Sequence, residues 1–190
     1  MKLLVIDIQK GITDSRLFNF EAFIDDTIRI IKAARDNQIE VIYFQHDDGA
    51  GTGFSIGDED FEIAEQVIPK DGEKIFIKNI NSCFGNKDFT DYVKDDNTLM
   101  IVGLQTNFCI DATVKSAFER GYKVIVPQGA NSTFDNDYMT GEETYKYYND
   151  MMWPKRFATC VSVDEAIKLM ESSIVICESK KIQTASLHGL

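Results

Sequence analysis

The stretch Thr98-Leu-Met-Ile-Val-Gly-Leu-Gln-Thr-Asn-Phe-Cys109 reads as a strand that breaks at a glycine and restarts as a helix with a cysteine in its first turn. Thr98 to Val102 is a short unbroken apolar run bounded by Asp95-Asp96-Asn97 and Gly103, the pattern of a strand covered on both faces. Beyond the break, Ile110, Val114, Ala117 and Phe118 recur at helical spacing. Asp111, Lys115 and Glu119 take the other face, and Gly121 is the stop. Thr106 or Asn107 is placed to cap the helix start. A cysteine in a first turn lies near free backbone N–H groups and the positive end of the helix dipole, which favour thiolate over thiol. Cys109 is therefore a candidate nucleophile, expected to be the most reactive thiol of the chain. The plain alternative is a small apolar residue at a crowded helix start.

Working outward, Lys2-Leu-Leu-Val-Ile-Asp7 is a second apolar run, ending in a carboxylate. It predicts a central parallel strand with Asp7 at its carboxyl end, where ligands bind in open α/β sheets. A turn residue or helix cap is the structural alternative for Asp7. From Phe20 to Arg35 a stripe of Phe20, Phe23, Ile24, Ile28 and Ile31 predicts an amphipathic crossover helix closed near Asn37. Ile39 to Phe44 is a second strand running out into Gln45-His-Asp-Asp-Gly-Ala-Gly-Thr-Gly53. That loop lacks both GxxxxGK[ST] and GxGxxG, so it reads as a ligand-covering or plain surface loop and not as a nucleotide site.

The alternation continues to the end of the chain. Residues 58–68 predict a short helix, Glu73 to Ile77 a third strand with Lys78 at its end, and Asn86 to Lys94 another helix. After the cysteine-led helix come a fifth strand, Tyr122 to Val126, a helix over 137–152, and a sixth strand, Ala158 to Val161. Ser162 with Glu165 three residues on opens a last helix as a capping box. Ser173 to Leu190 carries no pattern that assigns it. Six strands alternating with helices imply one α/β domain over residues 1–190. Its core is a three-layer, doubly wound sheet of six mainly parallel strands, ordered 3-2-1-4-5-6.

Charge and composition narrow the function. Twenty Lys and Arg against 31 Asp and Glu give a net charge of −11, a poor match for nucleic acid or an anionic membrane, so a small-molecule partner is expected. No run approaches the roughly 18 apolar residues of a spanning helix, and the N-terminal apolar run is too short for a signal peptide, which together predict a cytoplasmic protein. Cysteines 83, 109, 160 and 177 form no CxxC pair and are read as free thiols. With His46 and His188 the only histidines, a histidine-rich metal site cannot be assembled, and no metal or cofactor is expected.

The predicted order places strands one and four side by side, so Asp7 and Cys109 share one crevice. A thiol beside a carboxylate has a base for its proton. Lys78 must reach inward from strand three, two places away, unless it is only a solvated strand end.

These pieces resemble the isochorismatase-like cysteine hydrolase superfamily, which includes nicotinamidases. The matching segments are Leu4-Val-Ile-Asp-Ile-Gln9, Lys78 with Ser82-Cys83-Phe84, Val102 to Cys109, and Gly121-Tyr-Lys-Val with Ala130-Asn-Ser-Thr133. The resemblance implies a catalytic triad of Asp7, Lys78 and Cys109, an oxyanion hole from the N–H groups of Gln105 and Cys109, a cis peptide between Leu104 and Gln105, and a homo-oligomer. Gln9 and His46 complete the candidate site as substrate-binding residues. Nicotinamidases carry Asp-x-His and further metal-holding histidines after strand two. Gln45-His46-Asp47-Asp48 departs from that pattern, as does Lys10-Gly11-Ile12 after the first Gln. The expected activity is hydrolysis of a small amide through a thioacyl intermediate. Vinyl-ether hydrolysis of an isochorismate-like substrate and a non-catalytic small-molecule-binding role are the alternatives.

Overall fold

The computed structural model describes residues 1–172; Cys177, His188 and the rest of the unassigned segment 173–190 lie outside the described residues. Strands β1 (Lys2–Ile6), β2 (Glu40–His46), β3 (Lys74–Lys78), β4 (Thr98–Leu104), β5 (Lys123–Pro127), β6 (Asn131–Ser132) and β7 (Thr159–Val161) form one sheet. Every pairing in it is parallel, in the order β3-β2-β1-β4-β5-β7. The predicted 3-2-1-4-5-6 order is therefore correct, with β7 as the strand expected sixth. The additional strand, β6, spans two residues and pairs with β4 at Gly103 and Leu104.

The helices are α1 (Phe20–Asp36), α2 (Lys87–Val93), α3 (Asp111–Glu119), α4 (Gly141–Lys146) and helical residues 163–172. Successive side chains of a strand point to opposite faces, and the core divides accordingly. Leu3, Val5, Val41, Tyr43, Met100 and Val102 pack with Phe23, Ile30 and Ile31 of α1. Leu4, Ile6, Ile42, Phe44, Leu99 and Ile101 pack on the other face with Phe89, Val114, Ala117 and Trp153. Both faces being covered is why the strands read as unbroken apolar runs.

Four local expectations need correction. Residues 58–68 form two short 3-10 turns, Glu59–Phe61 and Glu65–Val67, and not one helix. Between them Ile63 bridges Gln9 and the Ala64 N–H donates to the Ile8 carbonyl, so this backbone is committed to the end of β1. On α1, Ile28 is exposed, and Thr27 with Ile30 takes the inner face. The helix expected over 137–152 opens at the Thr140 capping box, runs as α4, and widens into a π-type turn over Tyr147–Met152. Strand β2 continues two residues past Phe44, because Gln45 and His46 stay in register with Ile77 and Lys78.

Gly103 fixes the seam between β1 and β4. Its φ of +124° lies in a region L side chains rarely adopt, and a Cβ there would stand 2.0 Å from the Ile6 carbonyl oxygen. Only glycine lets the two central strands approach where the cysteine-bearing turn begins. No helix among the described residues is long and apolar enough to cross a membrane.

Candidate active site

The cysteine turn is a π-type turn, Thr106–Ile110, leading into α3. No side chain caps its start, contrary to the expectation for Thr106 and Asn107. Instead the Thr106 hydroxyl donates to Asn131 Oδ1 at 2.8 Å, and the Asn131 and Asn149 amides exchange two hydrogen bonds of 3.0 Å. All three residues are buried. The hydroxyl of Thr133 donates to Asn107 Oδ1 at 2.6 Å. These contacts tie the turn to β6 and to the π-type turn after α4. The signal was present as Ala130-Asn-Ser-Thr133, but nothing in its spacing showed that its partner would be Asn149. The peptide bond Leu104–Gln105 is cis.

Asp7 follows β1 with φ of 52°, its N–H donating to the Phe44 carbonyl. Lys78 closes β3 and crosses beneath β2 to meet it. Its Nζ lies 2.7 Å from Asp7 Oδ2, 3.2 Å from Cys109 Sγ and 2.9 Å from His46 Nδ1. The Lys78 side chain has no exposed surface and that of Asp7 only 2%. The solvated-end alternative for Lys78 is excluded by that burial. Asp7 Oδ1 has no hydrogen-bond partner among the described residues, leaving one face of a buried carboxylate unused.

Electrostatics set the resting protonation. Burial pushes the Asp7 carboxyl above its ordinary value, against the pull of Lys78. Burial works against the Lys78 ammonium, yet the charge of Asp7 and the neighbouring thiols holds it above its ordinary value. The Cys109 thiol is pushed up to about 12, first by burial and then by the Asp7 charge, with Lys78 opposing. Burial and the carboxylate neighbour therefore oppose the thiolate that the helix start favours. Cys160 is less buried and is pushed up to about 11. Cys109 is thus a thiol whose ionisation its surroundings oppose and Lys78 assists.

Of the two residues expected to touch substrate, His46 reaches the crevice. Its Nδ1 lies 4.0 Å from Cys109 Sγ, and its side chain is 17% exposed. Gln9 stands behind it with no exposed surface. Its amide is used on the His46 N–H at 2.7 Å, the His46 carbonyl at 3.0 Å and the Phe61 carbonyl at 2.8 Å. Gln9 faces backbone and not the thiol. Asn81, not anticipated from the sequence, brings Oδ1 to 3.8 Å from Cys109 Sγ.

Donor atoms of Asp7, His46 and Cys109 lie within 4.8 Å of one another, a spacing that suits a metal ion by distance alone. Lys78 Nζ lies 2.7 to 3.2 Å from a donor atom of each of them, so an ammonium already stands among the three. The residues do not fit a histidine-rich metal site, and the cation present is Lys78.

A doubly wound parallel sheet with a thiol, a carboxylate and a lysine converging at its switch point defines a hydrolase of the isochorismatase-like class. The chain belongs to the isochorismatase family: the model of the isochorismatase domain matches residues 2–165. An uncharacterised isochorismatase family protein of Bacillus subtilis, YddQ, is 30% identical over 138 residues, which are 69% of this chain and 77% of that protein. A streptothricin hydrolase of Streptomyces noursei is 25% identical over 142 residues, 70% of this chain and 54% of that protein. The fold is shared with a crystal structure of a cysteine hydrolase from Pseudomonas syringae pv. phaseolicola 1448A, at a TM-score of 0.81 and 23% identity, covering 90% of this chain and 92% of that one.

Proposed function

We propose that the protein hydrolyses a C–N amide bond of a small molecule through a thioacyl intermediate on Cys109. The observation that carries this reading is the convergence of thiol, carboxylate and ammonium in one water-poor crevice, with Nζ 2.7 Å from Asp7 and 3.2 Å from Cys109. The likeness to a streptothricin hydrolase supports hydrolytic chemistry of this kind. Asp7, its basicity raised by burial, takes the proton from Sγ as the sulfur attacks the carbonyl carbon. Lys78 stays charged and offsets the negative charge that the trio carries. The oxyanion is met by the N–H groups of Gln105 and Cys109, since donors at a helix start lack intrahelical acceptors. As the tetrahedral adduct collapses, the C–N bond breaks and Asp7 returns the proton to the leaving nitrogen. Water then gives a proton to Asp7 and its oxygen to the thioester. The acid departs, and the proton passes from Asp7 back to sulfur.

His46, at the exposed edge of the crevice, contacts the substrate in this reading, while Gln9 supports that contact from behind. The one continuous sheet supports a single domain. The cysteines among the described residues are unpaired, which suits a reducing cytoplasm. Exposed Ile75 and Ile77 on edge strand β3 support self-association, readable by sedimentation. A second reading, acid-catalysed vinyl-ether hydrolysis, draws on the same raised Asp7 and needs no thiol. Substitution of Cys109→Ala separates the two, since it abolishes amide hydrolysis and spares the acid-only reaction.

A further inference from the structure

We propose that His46 is the positioning residue for Lys78: its Nδ1 lone pair accepts the third ammonium proton and holds the cation between Asp7 and Cys109. An ammonium carries three N–H donors and no lone pair. At 2.9 Å from Nζ, Nδ1 has to be the acceptor, so the imidazole is neutral and its proton sits on Nε2. Nε2 itself lies 3.1 Å from Asp48 Oδ1, and a carboxylate at that distance favours the proton on Nε2.

The need for such a residue follows from the sheet order. Lys78 ends β3 and Asp7 follows β1, with β2 between them. His46 is the register partner of Lys78 on β2, so both side chains leave the sheet on the same face at the same level. With Asp7 Oδ2 and Cys109 Sγ as the other two acceptors, the ammonium has spent all three donors. None is left for a substrate oxygen, which makes Lys78 a holder of the thiol and carboxylate and makes its own placement depend on the ring beside it. Removing that ring leaves a buried N–H of a charged group unsatisfied, which draws the ammonium away from the thiol.

Gln9 extends the support one layer further. Its Oε1 accepts from the His46 N–H and its Nε2 donates to the His46 carbonyl, so both polar groups of the His46 backbone are pinned by one buried amide. A third contact, Nε2 to the Phe61 carbonyl, anchors Gln9 itself. The order of dependence runs from Gln9 to the His46 backbone, from the His46 ring to Lys78, and from Lys78 to the reacting pair.

The inference rests on the reading of Lys78 as part of the reacting trio, but its test needs no substrate. Failure of the test is therefore distinguishable from failure of the amide reading, which is judged by acyl transfer. Protein carrying ¹⁵N-imidazole histidine, with His188→Ala for assignment, is measured by long-range ¹H–¹⁵N correlation at neutral pH. The expected result is an Nε2–H tautomer for His46 whose Nδ1 resonance moves when Lys78→Met removes the donor. An Nδ1–H tautomer, an imidazolium, or an Nδ1 resonance indifferent to Lys78→Met overturns the proposal. In a second measurement, Cys109 alkylation by iodoacetamide at about pH 8.5 is mapped by peptide. His46→Leu slows it by roughly fivefold or more, because the cation that favours the thiolate is displaced, whereas His46→Asn, whose Oδ1 takes the place of Nδ1, stays within about twofold of wild type. Equal rates in wild type and His46→Leu overturn the proposal, as does His46→Asn no faster than His46→Leu.

Discussion

Asp7 and Lys78 lie 71 residues apart in the chain and 2.7 Å apart in space, both shut off from solvent. A buried pair of this kind is weak as a source of stability but costly to break from one side, because the remaining charge has no partner and no water. Lys78→Met is therefore expected to destabilise the fold by about 3–5 kcal/mol at neutral pH. The loss has a definite pH dependence. Burial already raises the Asp7 carboxyl, and without Lys78 it rises further. A group whose pKa is raised on folding contributes stability that is present below its unfolded value and lost as pH rises through the folded one. Urea unfolding of Lys78→Met thus shows a smaller deficit in mild acid than in mild base; an equal deficit at both would contradict the assignment of Asp7 as the stranded group.

Asp7→Asn moves two observables in opposite directions. The Asp7 charge is the second largest influence pushing the Cys109 thiol up to about 12, after burial. With that charge gone and Lys78 still beside the sulfur, alkylation of Cys109 at about pH 8.5 rises by roughly tenfold. Hydrolysis falls by about 10²- to 10⁴-fold, because the proton acceptor is lost. A parallel fall in both would mean that the substitution had disordered the site.

In wild type without substrate, brief iodoacetamide treatment labels Cys160 ahead of Cys109. The physical ground is its greater exposure, Cys160 being half-buried and Cys109 buried. Peptide mapping by mass spectrometry reads the order directly. Prior labelling of Cys109 would show that the helix start outweighs burial after all.

The buried amide pair behind the nucleophile turn should behave as one unit. Asn131→Ala strips Asn149 Oδ1 of its donor and Asn149→Ala strips Asn131 Nδ2 of its acceptor, while the Tyr145 carbonyl and the Thr106 hydroxyl keep the other atom of each amide paired; each substitution costs about 1–3 kcal/mol. In the double variant the cost falls short of the sum, by a coupling of roughly 0.5 kcal/mol or more. Strict additivity in urea unfolding would argue that the two amides do not depend on each other.

The fold was legible because its central strands are covered on both faces and its helices are striped. Lys2–Ile6 and the run from Thr98 to Val102 read as buried strands and are, although β4 runs on through Gly103 to Leu104 where the glycine was expected to end it, and Ser162 with Glu165 forms the capping box that the spacing implied. Three of the candidate residues stood out as polar groups at strand ends, and the sheet order brings them together. What the chain did not disclose was burial. The first-turn position of Cys109 predicted a thiolate, and only the packed crevice reveals the burial and the carboxylate that oppose it. Gln9 read as a ligand because a buried amide and an exposed one are the same letter; its three backbone partners lie at His46 and Phe61, far along the chain. The length of β2 was hidden in the same way, since Gln45 and His46 are held in the sheet by register with β3 and not by apolar character.

The central claim is a covalent acyl group on Cys109. Rapid acid quench of the enzyme with a panel of small amides, followed by intact-mass measurement and peptide mapping, tests it most directly. The account predicts an added acyl mass on the peptide carrying Cys109, absent in Cys109→Ala and accumulating when Asp7→Asn slows hydrolysis of the thioester more than its formation. Turnover of an amide by wild type with no acyl mass at any time point, together with retained activity in Cys109→Ala, would contradict it.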